Sequence, residues 1–198
     1  MARLADPQLA ERRRRQILEA ALGCFRRRGF HQATMQEICA EAGISPGALY
    51  RYFDSKADII AAIAEDECES FNEQLRRART KGALVDALCA LARGFFAHAA
   101  ADGALMADLF AEAARDPLVS QSLGRSDQVS VAECAEAIRA AQERGEADVA
   151  LDPVEAARTL FAAMSGIGLR SAMLRQVDVE RSTAQFHQLA TRYLRLAV

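Results

Sequence analysis

Two helix starts and one glycine stop crowd into the stretch from Thr34 to Lys56, TMQEICAEAGISPGALYRYFDSK, and they leave room for little except two short helices joined by a tight turn. Thr34 is placed to cap the first. Its side-chain oxygen can accept the amide of Glu37, three residues on, whose carboxylate can return to the Thr34 backbone. Ala33 and Ile38 stand at the flanking staple positions, and Met35, Ile38 and Cys39 share the inward face. Gly43 stops the helix by taking the left-handed conformation that other residues adopt at a cost. Ser45 then caps a second helix, Pro46 fills the first helical position, where its missing N–H loses nothing, and Ile44 faces Leu49 across the cap. Leu49 and Phe53, four apart, anchor this helix and leave Gly47, Ala48, Tyr50, Arg51 and Tyr52 on its outer faces.

The rest of the chain repeats one signal. Apolar residues recur at three and four rather than at two, so the fold class is all-α, with an N-terminal three-helix unit and a larger helical body. The first helix is predicted over Pro7 to Arg28, apolar along Ile17, Leu18, Ala21, Leu22 and Phe25. Gly29 after it should join Phe25 to Phe30 in a Schellman ending, and Arg26, Arg27 and Arg28 suit the negative end of the helix dipole. Arg12 to Arg15 lie where that dipole disfavours cations, so a phosphate-facing role and plain solvation both stay open.

Ser55, with Asp58 at the capping-box position, opens a long helix to about Arg79 with Ile59, Ile60 and Ile63 in its stripe. A fifth helix after Lys81-Gly82 carries Leu84, Leu88, Leu91, Phe95 and Phe96. Ala101-Asp102-Gly103 reads as a break, followed by a short helix from Leu105 to Ala114 that ends at Asp116-Pro117. Further helices are predicted over Leu118–Arg144, Pro153–Arg175 and Val179–Leu196, with Gly145 to Asp152 as a loop. Gly166 and Gly168, inside a helix, each lose about 1 kcal/mol against alanine, which predicts the close approach of another helix.

Charge divides the chain where the helices do. Residues 1–56 hold 10 Lys+Arg against 6 Asp+Glu, whereas residues 57–198 hold 15 against 21. A basic head on an acidic body suits a protein that offers one end to phosphates. The five cysteines, Cys24, Cys39, Cys68, Cys89 and Cys134, form no C-x-x-C pair and lie near no histidine in a metal pattern. They read as reduced small hydrophobes, with a redox sensor as the other reading. His98 and His187 read as solvated or hydrogen-bonded, and no acid, base and nucleophile gather into a catalytic set. Neither an enzyme nor a metal or cofactor is expected. Uninterrupted apolar runs stay short of the roughly 18–20 residues of a membrane span, so a cytoplasmic protein with no membrane partner is expected.

A capped helix pair around a glycine turn is the form of the helix-turn-helix, whose second helix enters the DNA major groove by its N-terminal residues. The small front of Gly47 and Ala48 lets the backbone approach base edges, where Ala48 can touch a thymine methyl. Arg51, one turn on, can pair with a guanine, and the Tyr50 and Tyr52 hydroxyls can reach phosphates on either side. Lys56 opens the next helix, where its charge and free N–H groups can meet a phosphate. Packing of both tyrosines on the first helix is the alternative.

Across Ile17 to Ile63, the positions of Thr34, Ile38, Ala42-Gly43-Ile44-Ser45, Gly47, Leu49-Tyr50, Tyr52-Phe53 and Ser55-Lys56 agree together, and the stretch resembles the DNA-binding domain of the TetR/AcrR family of transcriptional regulators. The resemblance implies a homodimer on double-stranded operator DNA, with the body binding a small-molecule effector and dimerising through its last two helices. It further implies that Pro46, Gly47, Ala48 and Arg51 face bases, while Thr34, Ser45, Tyr50, Tyr52 and Lys56 hold phosphates.

For the body, the expected dimer surface is Leu160, Met164, Ile167, Gly168, Ser171, Phe186, Leu189 and Tyr193, with packing inside one chain as the other reading. Phe95, Phe96, Met106, Phe110 and Met164 are the expected lining of an apolar effector cavity, although each residue taken alone fits plain core better. The function so read is a sequence-specific repressor released from its operator by a small apolar or amphipathic molecule. The competing readings are a helical carrier or enzyme with an incidental helix-turn-helix, and a DNA architectural protein indifferent to sequence.

Overall fold

Helix starts and stops recur along the chain much as its caps dictate. The computed structural model describes residues 7–79 and 84–195, so the expected break at Lys81-Gly82 and the helix end at Leu196 lie outside the described residues. Its elements are α1 (Pro7–Arg28), α2 (Met35–Ala42), α3 (Pro46–Leu49), α4 (Lys56–Ala78), α5 (Leu84–Ala113), α6 (Pro117–Glu143), α7 (Pro153–Met173) and α8 (Val179–Leu194), and no strand occurs among the described residues.

The chain through Glu65 groups with Asp108–Leu123 in one unit, and Asp66–Ala107 groups with the chain from Gly124 onward in the other. α4, α5 and α6 thus contribute residues to both.

In the first unit, α1 packs on α2 and buries Ile17, Leu18, Ala21, Cys24 and Phe25, while Ile38, Cys39, Leu49, Phe53, Ile59 and Ile60 complete the core. Burying such side chains contributes about 1.5–3 kcal/mol each, which is what holds so short a helix pair in place. The Gln16 side-chain amide donates to the Ala42 carbonyl at 2.6 Å, fastening α1 to the last residue of α2. At the other end of α1, Arg27 pairs with Glu41 at 2.8 Å and Arg28 with Glu37 at 3.0 Å.

Gly29 closes α1 at φ 77°, its N–H returning to the Phe25 carbonyl at 2.8 Å, and the Phe25 and Phe30 rings sit 5.3 Å apart. α1 thus ends in the simpler αL motif, in place of the expected Schellman ending. The Phe30 N–H, which a Schellman motif would return to Phe25, donates instead to the Asp108 carboxylate at 3.0 Å.

In the second unit, Leu75, Leu88, Leu91, Phe96, Cys134, Ile138, Leu160, Met164, Phe186 and Leu194 belong to one core, and Phe71 and Phe161, edge to face with each other, pack against it. Asp152 caps α7 by accepting the Val154 and Glu155 amides, with Pro153 at the first position, and Asp178 caps α8 by accepting that of Arg181.

The expected break at residues 101–103 is present as a kink. Asp102, at φ −132°, ψ 31°, leaves helical geometry there, and α5 is two helical segments joined across it. Gly103 is the residue that permits this packing: a Cβ there would come within 2.7 Å of the Ala172 Cβ on α7. Of the two α7 glycines, Gly168 lies under the Phe95 ring, which a Cβ would overlap, whereas Gly166 is exposed and meets nothing within 4 Å. The close approach therefore accounts for Gly168 alone. α5 is also long and apolar enough on average to cross a bilayer, but Arg93, Asp102 and Asp108 interrupt its apolar run and Leu84, Leu88, Leu91 and Phe96 are buried in the protein core.

Candidate nucleic-acid interface

The helix-turn-helix is built almost wholly from local bonds. At Thr34 (φ −114°, ψ 153°) the hydroxyl accepts the Glu37 N–H at 3.2 Å, and the Glu37 carboxylate accepts the Thr34 N–H at 2.9 Å and its hydroxyl at 3.1 Å. Those bonds, the backbone one foremost, hold the Glu37 carboxyl below the usual range. Gly43, at φ 63°, returns its N–H to Ala40 and passes the chain to Ile44, whose N–H reaches Cys39 at 3.0 Å, so α2 ends in a complete Schellman motif. One residue later the Ser45 hydroxyl accepts the Ala48 N–H at 3.3 Å and Pro46 opens α3.

α3 is regular over only Pro46–Leu49. Tyr50 and Phe53 still return their N–H groups to Pro46 and Leu49, so the chain coils onward as turns, and Tyr50, Arg51 and Tyr52 lie just past the helix in which they were expected. Leu49 and Phe53 are the buried anchors. Outward stand Ser45, Pro46, Gly47 and Arg51, all exposed, with Ala48 half-exposed. A Cβ at Gly47 would meet nothing within 4 Å, so the front of the segment is bare backbone facing open space. Tyr50 is 51% exposed, a large apolar ring left in water, while Tyr52 is half-buried.

Lys56, expected at a phosphate, is also engaged inside the protein. Its ammonium donates to the Phe30 carbonyl at 2.7 Å and the His31 carbonyl at 3.1 Å, and it lies 4.8 Å from the Phe30 ring centroid. Partial burial lowers its pKa, against the opposing pull of Glu112 and Glu37. Lys56 thus holds the loop that follows α1, leaving one N–H for any outside partner.

Sequence pattern assigned the body less well. Leu160, Met164, Gly168 and Phe186, expected at a dimer surface, are buried inside their own chain, because the faces of α7 and α8 that carry them turn into the second unit's core. Ile167, Ser171 and Tyr193 are half-buried, and Leu189 is exposed. Of the expected cavity residues, Phe96 and Met164 are core, Phe95 covers Gly168, Met106 is half-buried, and Phe110 is exposed and falls in the first unit. Open grooves lie elsewhere. One of about 770 Å³ runs along α8 past Arg181, Gln185, Gln188 and Arg192, and one of about 560 Å³ lies between the alanines flanking the α5 kink and the end of α7. Three residues that pattern did not single out have marked roles: Gln16, Asp108, and Asn72, whose side chain is buried at 3% exposure with Oδ1 unpartnered among the described residues.

Comparison with known proteins gives this geometry its context. Residues 17–63 match the tetR family of bacterial regulatory proteins, and residues 87–195 match the C-terminal domain of BetI-type transcriptional repressors. The HTH-type transcriptional regulator UidR of Escherichia coli K12 is 30% identical over 162 residues, covering 80% of this chain and 81% of that protein. The structure of GusR from Salmonella enterica superposes with a TM-score of 0.78 at 30% identity, covering 97% of this chain and 98% of that one. SmeT, the repressor of the Stenotrophomonas maltophilia multidrug efflux pump SmeDEF, superposes at 0.72 with 27% identity, over 91% of this chain and 89% of its own. The protein belongs to the TetR family of bacterial regulatory proteins and is a helix-turn-helix transcriptional regulator, not an enzyme.

Proposed function

We propose that this regulator is a homodimeric repressor, released from operator DNA by a small apolar or amphipathic molecule. The observation that carries the DNA half is the bare front of α3: Gly47 open to solvent, Ala48 beside it, and Arg51 and the half-exposed Tyr50 flanking them. A surface so small and so close to backbone suits base edges, with Thr34, Ser45, Tyr50 and Tyr52 disposed toward phosphates. Residues 1–56 do the reading and residues 57–198 carry the effector and the dimer contact. One short helix reads few base pairs, so two copies with half-sites about one helical turn apart, or a multiple of it, supply the specificity. The exposed faces of α7 and α8, with Ile167, Ser171, Leu189 and Tyr193 and the groove along α8, are the surface a second copy would cover.

Two observations support an effector. Asn72 offers an unpartnered buried oxygen inside the second unit, where a guest or a water would satisfy it. SmeT has been solved as a complex with triclosan, at 26% identity to this chain. A guest that favours one shape of the body by about 1–3 kcal/mol would change operator affinity 5–150-fold. The test is a gel shift with DNA from upstream of the protein's own gene. A sequence-dependent shift that salt weakens is expected, and Arg51→Ala should lose about 1–3 kcal/mol at one base position only. Equal binding to unrelated DNA would overturn the reading.

A further inference from the structure

We infer that Arg13, held by the Gln16 side chain that bonds the end of α2, is a further phosphate-binding position beside the recognition segment; this rests on the DNA-binding reading above. Two hydrogen bonds in series define it. The Arg13 guanidinium donates to Gln16 Oε1 at 2.9 Å, and Gln16 Nε2 donates onward to the Ala42 carbonyl at 2.6 Å. Ala42 is the last residue of α2, and the chain turns at Gly43 into the Ser45 cap of α3. A cation on α1 is therefore tied to the turn that delivers the reading helix.

What separates Arg13 from the arginines at the far end of the same helix is the charge of its partner. Arg27 and Arg28 face the carboxylates of Glu41 and Glu37, which neutralise them. Arg15 has Glu11 at 4.0 Å. Arg13 is fixed by a neutral amide, so its position is set while its full charge and remaining donors stay available. The dipole of α1 gives no reason for a cation in this first half, and a pre-positioned guanidinium loses less side-chain entropy when it meets a phosphate.

Phosphate contact is read by salt. Each contact contributes about 0.9 to the slope of log affinity against log salt, whatever the base sequence. The probe is a labelled duplex of arbitrary sequence, titrated by fluorescence anisotropy at several salt concentrations with the full chain. Arg13→Gln should weaken binding and flatten the slope by about 0.9, Arg13→Lys should restore the slope, and Arg27→Gln should leave it unchanged. Gln16→Leu, which frees Arg13 without removing its charge, should weaken binding less than Arg13→Gln does. An unchanged slope in Arg13→Gln overturns the inference even if affinity falls, as does an equal flattening by Arg27→Gln. Failure of the unsubstituted protein to bind any duplex would instead overturn the DNA-binding reading itself.

Discussion

The backbone N–H of Phe30 donates to the carboxylate of Asp108, 3.0 Å away and 78 residues further along the chain. Phe30 is buried, so its amide cannot turn to water when that acceptor is lost. Asp108→Ala should therefore destabilise the protein by about 1–3 kcal/mol, and Asp108→Asn, which keeps an acceptor, by less. Urea unfolding followed by helical circular dichroism measures both, and equal midpoints for the alanine variant and the unsubstituted protein would refute the assignment.

Lys56 makes its clearest contribution before any DNA arrives. Lys56→Met removes the donor from two carbonyls and should lower stability by about 1–3 kcal/mol in DNA-free protein. Desolvation depresses the lysine pKa, so above the depressed value and below the ordinary 10.5 the unfolded chain keeps a proton that the folded chain has lost. Its contribution to stability should thus rise with pH across that window and stay constant below it. Melting temperatures of the two proteins should therefore diverge as pH rises through that window; parallel or converging curves would count against it.

The two glycines of α7 should respond in opposite directions to alanine. Gly168→Ala forces a methyl into the Phe95 ring and should cost about 1–3 kcal/mol. Gly166→Ala adds a methyl in open space and should gain up to about 1 kcal/mol from helix propensity. Thermal melts of both variants at equal protein concentration decide the matter.

Burial pushes the Cys134 thiol up to about 12 from its ordinary 9.0. The unfolded thiol ionises first, so stability should fall as pH rises from about 9 toward 12, and Cys134→Ala should remove that part of the decline. At mildly alkaline pH the native protein should leave Cys134 unlabelled by a thiol reagent while the half-buried Cys89 reacts slowly. Prompt labelling of Cys134 without denaturant would exclude so closed a setting.

Local chemistry was the legible part of the fold. Thr34 with Glu37, Gly43, Ser45 with Pro46, and Asp152 with Pro153 each bond within a few residues, so their jobs can be assigned from spacing alone. Periodicity also showed which faces of α7 and α8 are apolar, but not what covers them. Leu160 and Phe186 turn inward because α4, α5 and α6 present their own apolar stripes to the same core, a relation absent from any single helix. The bonds from Gln16 to Ala42, Phe30 to Asp108 and Lys56 to Phe30 span 26 to 78 residues, beyond the reach of a pattern. The internal bonds of Lys56 are hidden from the sequence for that reason: as a helix-opening cation it suits a phosphate, and only the folded chain also brings two carbonyls to it.

Nothing inside the protein obliges residue 47 to be glycine, since an added Cβ would touch no neighbour. If Gly47 faces base edges as proposed, a side chain placed there would meet DNA and not protein. Swapping side chains there should rewrite the preferred binding sequence while leaving the melting temperature nearly still, which makes Gly47 a natural starting point for retargeting this regulator to new DNA sites.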